Sequence, residues 1–406
     1  MAIAMANNKN QRNQSDEGDG EEGEITLPTL PQEIHREILL RLPVKSLCKF
    51  RCVCKSWLSL TSTSEFAKTH INLALQNQNL CSKRRRLIFS HYNLYSVEYE
   101  SVANDDDSGL VPVKEHDYAF KNIPNDWFED EDGNVDTESV DTLCTRNWVE
   151  IWGSCDGLVC ILICISPYED ALFLLNPSTG ESKRILDKDT NWPSMFGFGY
   201  DSINDDYKVL QIDFGAVVTL YSLKNDSWRE MGMFPYYGDI YDSWMFLHGS
   251  FHWVVINRKD QKPKYVISAF DIAKETFWEM AAPDIDISCG LVTGILNGCL
   301  CVIYSWKGMH DDFWVMREYG VTNSWTRLTI SLSYIHMKPL GLAKNGEAVL
   351  QVDGRLVQCN LEKNSCKEIV VHGIPVGDKV CAETYIESLI SVNGYCGSGN
   401  EIQMQS

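Results

Sequence analysis

Apolar residues recur along this chain with two different periods. Between residues 29 and 75 the period is helical. Ile34, Ile38 and Leu42 fall at i, i+4 and i+8 with Leu39 beside them, which predicts one apolar stripe along an amphipathic helix. Thr29 followed three residues later by Gln32 is a capping-box pattern, and Pro31 suits a first helical turn. Pro43 ends the run because it lacks a backbone donor and disfavours helical geometry in the residue before it. A second run sets Leu47, Phe50 and Val53–Cys54 on one side and Lys45, Lys49 and Lys55 largely on the other, and Trp57 and Leu60 extend the apolar series. Ser62 to Glu65 is another capping pattern, opening a short segment with Phe66 and Ile71. About three helices in under fifty residues bury little surface. Two readings stay open: a helical cap on a larger domain, or a docking module whose apolar stripe a partner completes.

Further along, a phrase recurs: LLNPSTGESKRI, LYSLKNDSWREM, AFDIAKETFWEM, REYGVTNSWTRL and QCNLEKNSCKEI. Their third residues are Asn176, Ser222, Asp271, Tyr319 and Asn360, at intervals of 46, 49, 48 and 41. Six residues on stand Ser182, Trp228, Phe277, Trp325 and Cys366; nine on, the residue is apolar each time. A second phrase, a turn then an apolar strand, precedes the copies: CDGLVCILI, NDDYKVLQI, LHGSFHWVV, LNGCLCVIY and KNGEAVLQV. Its Asp-Gly, Asn-Gly and Asn-Asp pairs suit tight hairpins, which need positive φ. About four strands per 40–50 residues is the signature of a propeller blade. An open β-sandwich or barrel is the alternative, and five phased copies of two phrases disfavour it. Residues 87–102 predict strands of a further blade, and 384–392 a last strand that closes the ring, for a mainly β chain of about six blades.

Charge sharpens the division. The 406 residues carry a net charge of -20, yet residues 27–75 hold seven basic and three acidic side chains. A nucleic-acid binder would be basic over its main surface, so that class is excluded. The longest apolar stretch, Leu158 to Ile165, is too short to span a bilayer. The opening residues MAIAMANNKNQRN have no apolar core with a cleavage site, so no secretory signal is expected. Fifteen cysteines without a C-x-x-C pair predict reduced thiols, no metal and no cofactor, and a location in cytoplasm or nucleus.

The helical stretch Leu30-Pro31, Ile34, Ile38-Leu39, Leu42-Pro43-Val44-Lys45-Ser46-Leu47, Arg51, Val53-Cys54-Lys55, Trp57 and Leu60 resembles the F-box. The repeat, through Gly153–Leu158, Asn176-Pro177-Ser178-Thr179, Gly197-Phe198-Gly199-Tyr200-Asp201, Tyr207-Lys208-Val209 and Phe251-His252-Trp253, resembles the plant F-box-associated, kelch-like interaction domain. The kelch Gly-Gly doublet itself is absent, and the layout is also that of S-locus F-box proteins. Residues 1–26, acidic, without aromatics and rich in Glu, Gly and Asn, are expected to be a disordered tail; a three-helix F-box at 27–75, a propeller at 76–395 with an acidic insertion at 103–147, and a tail at 396–406 follow. The resemblance implies a Skp-type adaptor and through it a cullin as partners. Leu30, Pro31, Ile34, Ile38, Leu42, Pro43, Val44 and Leu47 are expected to face the adaptor, and Phe50, Val53, Trp57 and Leu60 to form the module's core.

What remains is weak chemistry. The insertion, with its Trp127-Phe128 pair, reads as a solubilising stretch or as a cradle for a basic target. Lys83-Arg84-Arg85-Arg86 reads as a solvated linker or a nuclear localisation signal. His248 and His252 lie on a turn and a strand rather than one helix face, and no P-loop, G-x-S-x-G or Rossmann fingerprint is present. The expectation is therefore a non-catalytic subunit of an SCF-type ubiquitin ligase that recruits a protein target. A receptor that binds a protein or glycoprotein without degrading it is the alternative.

Overall fold

The computed structural model describes residues 31–91, 93–103, 112–118, 121, 149–166, 169–186, 194–213, 215–236, 244–258, 262–287, 290–305, 309–374 and 380–394. The expected terminal tails, Leu30, the Thr29 cap and most of the acidic insertion, Trp127 and Phe128 included, lie outside them.

The helical region is built of five helices, not three: α1 (Gln32–Leu40), α2 (Val44–Phe50), α3 (Lys55–Thr61), α4 (Ser64–Gln76) and α5 (Gln78–Arg84). Pro31 and Pro43 stand as the N-caps of α1 and α2. The expected second run is broken at Arg51–Cys54, where Cys54 turns fully extended (φ -157°, ψ 161°). No Gly or Pro marks that break. Arg51 closes it from a distance, donating to the Thr61 carbonyl at 3.0 Å. The fourth helix is capped one residue later than expected, by the Thr63 hydroxyl accepting from the Phe66 amide at 3.2 Å.

Six four-stranded antiparallel sheets follow. The first blade begins with β1 (Arg85–Ser90), β2 (Leu94–Glu98) and β3 (Lys114–Glu115), with α6 (Tyr99–Ala103) between the last two. The second holds β4 (Val149–Cys155), β5 (Leu158–Ser166), β6 (Glu169–Asn176) and β7 (Glu181–Arg184). The third holds β8 (Met195–Asp201), β9 (Asp206–Ile212), β10 (Val217–Ser222) and β11 (Ser227–Met233). The fourth holds β12 (Met245–Leu247), β13 (Ser250–Asn257), β14 (Lys264–Asp271) and β15 (Thr276–Ala281). The fifth holds β16 (Gly290–Leu296), β17 (Cys299–Ser305), β18 (His310–Met316) and β19 (Trp325–Tyr334). The sixth holds β20 (Met337–Leu342), β21 (Ala348–Val352), β22 (Arg355–Asn360) and β23 (Ser365–Ile369). The last strand, β24 (Cys381–Ile386), returns to the first blade and pairs with β1 from Cys381↔Ser90 to Ile386↔Arg85. The ring is thus a six-bladed propeller whose first blade is completed by strands from the two ends of the sheet-forming chain.

The repeated phrases have physical jobs. Asn176, Asp271 and Asn360 each end a third strand and use the side-chain oxygen to accept amides two and three residues on, the bond that shapes the following turn. Six residues later, Trp228 donates its indole N–H to Ile185 of the blade before, at 2.6 Å, and Trp325 does the same to Ala281 at 3.1 Å. One repeated position therefore shapes the hairpin and the other fastens neighbouring blades. The expected tight turns are also present: Asp156 and Asn297 take positive φ ahead of Gly157 and Gly298.

Cys359 and Cys366 face each other across β22 and β23 and are joined as a disulfide, against the expectation of reduced thiols throughout.

Candidate functional site

The helical region does not stand apart from the propeller. Leu39, Leu40, Val44, Leu47, Phe66 and Ile71 share one buried cluster with Leu158, Cys160 and Tyr207 of the blades and with Leu389, Ile390 and Val392 after β24. Lys68 pairs with Asp205 in the turn between β8 and β9. The basic run seals the joint. Arg84 is 3% exposed and donates to the carbonyls of His70 at 3.0 Å and Leu42 at 3.1 Å. Arg86 binds Glu98 at 2.7 Å and Glu387 at 3.0 Å, and Arg85 lies over the Tyr99 ring. The solvated-linker reading of Lys83–Arg86 is overturned at Arg84, whose charge is spent inside the protein.

His70 completes this joint. Arg84 can only donate, so His70 Nδ1 is an acceptor and its Nε2–H donates to Leu42 O at 2.9 Å. Burial, then the Arg84 charge, drive its pKa down to about 4, so the ring is neutral.

What α1 leaves outside includes two large apolar residues beside Gln32, Glu33 and Glu37. Its buried residues are Leu39 and Leu40, while Ile34 is 44% and Ile38 48% exposed. Pro31 and Pro43 are exposed and Leu42 is half-buried against the shared core. Arg41, Lys45, Lys49 and Lys55 are exposed as well. Two residues expected on the docking face, Val44 and Leu47, are instead buried at 1% and 0%, because α2 turns that side onto the blades. Val53, expected in the core, is 62% exposed, since it sits in the break between α2 and α3. Trp57 is half-buried rather than enclosed, packed against Phe50 at 5.5 Å and edge-on to His35 at 6.2 Å; Phe50 and Leu60 are likewise half-buried. Leu39 and Leu40 carry the internal contact that sequence reasoning assigned elsewhere.

Strand direction separates the two ends of the propeller. Turns 156–157 and 202–205, next to the helices, join the first and second strands of their blades. The strands at the two sides of each blade-to-blade connection open onto the opposite end. At that distal end Met233, Ile287, Met309, Ile335 and Val370 are exposed, at 40–69%. A cavity of about 520 Å³ lies on the axis there, lined by the opening residues of the innermost strands. Its walls differ. Trp152, Phe196, Phe198, Trp244 and Phe246 come from blades two to four, whereas Ser305, His336, Lys338, Asp353 and Glu383 come from blades five, six and one.

The two histidines four residues apart, His248 and His252, lie on a turn and a strand. His252 is buried on β13, its Nδ1–H directed to Met245 O at 3.3 Å and its Nε2 accepting from the Tyr319 hydroxyl at 2.6 Å. Burial lowers its pKa to about 4. Among the described residues no group of three or more His, Cys, Asp or Glu is arranged to hold a metal ion.

With this geometry in place, the comparisons decide the family. Residues 27–69 match the F-box domain, and residues 132–392 match the F-box associated beta propeller domain. The chain belongs to the F-box proteins with an associated β-propeller. Among its relatives is the F-box/kelch-repeat protein At3g23880 of Arabidopsis thaliana, 28% identical over 90% of this chain and 96% of that one. The F-box protein CPR1 of the same plant is 27% identical, over 90% of this chain and 89% of its own. This F-box protein thus has the two parts of a recognition adaptor: a helical docking module and a propeller.

Proposed function

We propose that this F-box protein is the substrate-receptor subunit of an SCF-type ubiquitin ligase, acting in cytoplasm or nucleus. The helical face docks a Skp-type adaptor, and through it a cullin. The distal end of the propeller holds the target for ubiquitination and proteasomal degradation. The observation that carries the reading is the pair Ile34 and Ile38, apolar and solvent-facing on a helix whose other apolar side is already used. The same helical region exposes Lys45, Lys49 and Lys55, which suit an acidic partner, while Arg41 is paired with Glu37 at 2.7 Å.

The receptor's contribution is proximity. A target held beside the charged conjugating enzyme presents its lysines at high effective concentration, and such positioning lowers a barrier without a catalytic group here. The distal end points away from the docking face, so adaptor and target do not compete for one surface.

The test replaces Ile34 and Ile38 by Glu in the full chain. Both side chains are exposed, so the thermal midpoint should stay within about 2 °C of the parent, as for ordinary surface changes. Retention on an immobilised Skp-type adaptor should be lost. Undiminished retention would remove these residues from the interface and leave the adaptor assignment without its support.

A further inference from the structure

We propose that the axial channel binds an organic cation, a guanidinium or ammonium group on a flat or aliphatic body. The cavity, about 520 Å³, is of the size that encloses small ligands rather than single waters. Its charge is lopsided: among the described lining residues Glu383 and Asp353 stand against the single cation Lys338. Lys338 is held by Glu383 at 2.8 Å. Asp353 fixes the loop before β20, its Oδ1 accepting from the amides of Ile335 at 3.1 Å and His336 at 2.8 Å. Its Oδ2 has only a long 3.4 Å contact with the Ile335 amide, which leaves acceptor capacity at the channel. Ser305 and His336 are bonded to one another at 3.1 Å.

The opposite wall supplies what a cation wants next. Trp152 and Phe246 are half-buried aromatic rings lining the cavity, and Trp152 lies on β4, the inner strand adjacent to the one bearing Glu383. A cation over an aromatic face gains about 0.5–2 kcal/mol, more where water is excluded. An anion would meet Asp353 and the negative faces of the rings, with Lys338 already held by Glu383. A neutral aromatic body would gain the rings and forgo the charge. The combination therefore selects a cation with an apolar body. Such a group is available from a free small molecule or from an arginine of a bound target, and the chemistry of the site is the same for both.

This inference stands on the closed ring and not on adaptor docking, so it can fail without touching the ligase reading. The probes are benzamidine, its neutral counterpart benzamide, and benzoate, titrated into the full-length protein while tryptophan fluorescence and the thermal midpoint are followed. Benzamidine should raise the midpoint in proportion to the logarithm of its concentration; benzamide and benzoate should not. Glu383→Gln should weaken benzamidine by about tenfold or more, the loss of one charge-assisted bond. Lys338→Met should tighten it, because Glu383 is released from its lysine. General damage to the wall would weaken both variants alike, so the opposite signs identify the site. A second arm uses the peptides Gly-Gly-Arg-Gly-Gly and Gly-Gly-Gln-Gly-Gly: selective binding of the arginine peptide assigns the channel to a target side chain, and binding of benzamidine alone assigns it to a small molecule. Equal response to benzamidine and benzamide, or weakening by Lys338→Met, overturns the proposal.

Discussion

Arg84 carries a full charge into a site where carbonyl oxygens rather than a carboxylate receive it directly. Removing it leaves the His70 ring nitrogen without its donor and takes a charged donor from the carbonyls of Leu42 and His70. Arg84→Met should therefore cost about 1–3 kcal/mol in urea unfolding, the penalty for stranding one buried acceptor; a loss under 0.5 kcal/mol would show that water replaces the guanidinium. Acid should attack this joint at His70 and the blades at two further histidines. His70, His116 and His252 all have pKa values lowered to about 4, each chiefly by burial. The unfolded chain, with histidines near 6.5, binds more protons than the native one between pH 6.5 and 4, so stability falls as pH drops through that window. Each histidine adds a slope of up to about 1.4 kcal/mol per pH unit. Urea midpoints measured at pH 7, 6 and 5 should decline, and His70→Gln should flatten the decline. None of this was legible in the sequence, where a run of four basic residues has the same appearance whether water or a protein interior receives it.

The return of β24 to β1 is the element on which the ring depends. Ending the chain after Val380 removes six paired residues and exposes β1 as an open edge beside the axial channel. Such an edge recruits other chains. The truncated protein should elute as oligomers in size-exclusion chromatography and melt at lower temperature, whereas ending it after Gly394 should leave a monomer with the parent midpoint. This closure was readable from the chain: apolar strand patterns at both ends of the repeat had no partner within their own units. The period was readable for a related reason. Asn176, Asp271 and Asn360 must supply a turn-forming acceptor, and Trp228 and Trp325 a donor to the blade before, so their types recur at fixed spacing. The break between α2 and α3 was not readable, because the contact that fixes it, Arg51 to Thr61, spans ten residues and leaves no Gly or Pro behind. Nor could periodicity say which side of α1 points inward. Leu39 and Leu40 are as apolar as Ile34 and Ile38, and only the blades beneath choose between them.

At the scale of the whole molecule the F-box and the propeller are one body. A module of five short helices would expose Leu39, Leu40, Val44 and Leu47 if separated from the blades, and the blades would lose the cover over Leu389 and Ile390. Burying an aliphatic side chain of this size contributes about 1.5–3 kcal/mol, so the six residues together are comparable to the net stability of an ordinary domain. Neither part can then open while the other stays closed. The expected consequence is a single cooperative transition, in which amides of α4 and of β5 exchange hydrogen with the same opening free energy under mild denaturant. If α4 exchanged at markedly lower free energy than β5, the helices would be a separate unit joined by a hinge. The distinction reaches function. A rigid joint fixes the distal end of the propeller at one distance and angle from the adaptor face, which confines the lysines of a held target to one zone. Inserting six Gly-Ser residues between Asn77 and Gln78 should therefore leave adaptor binding and the set of modified lysines unchanged, because the packing of Leu39, Leu40, Val44 and Leu47 on the blades, not the chain between α4 and α5, holds the joint; a spread of the modified sites to more lysines would show that the covalent connection sets the geometry instead.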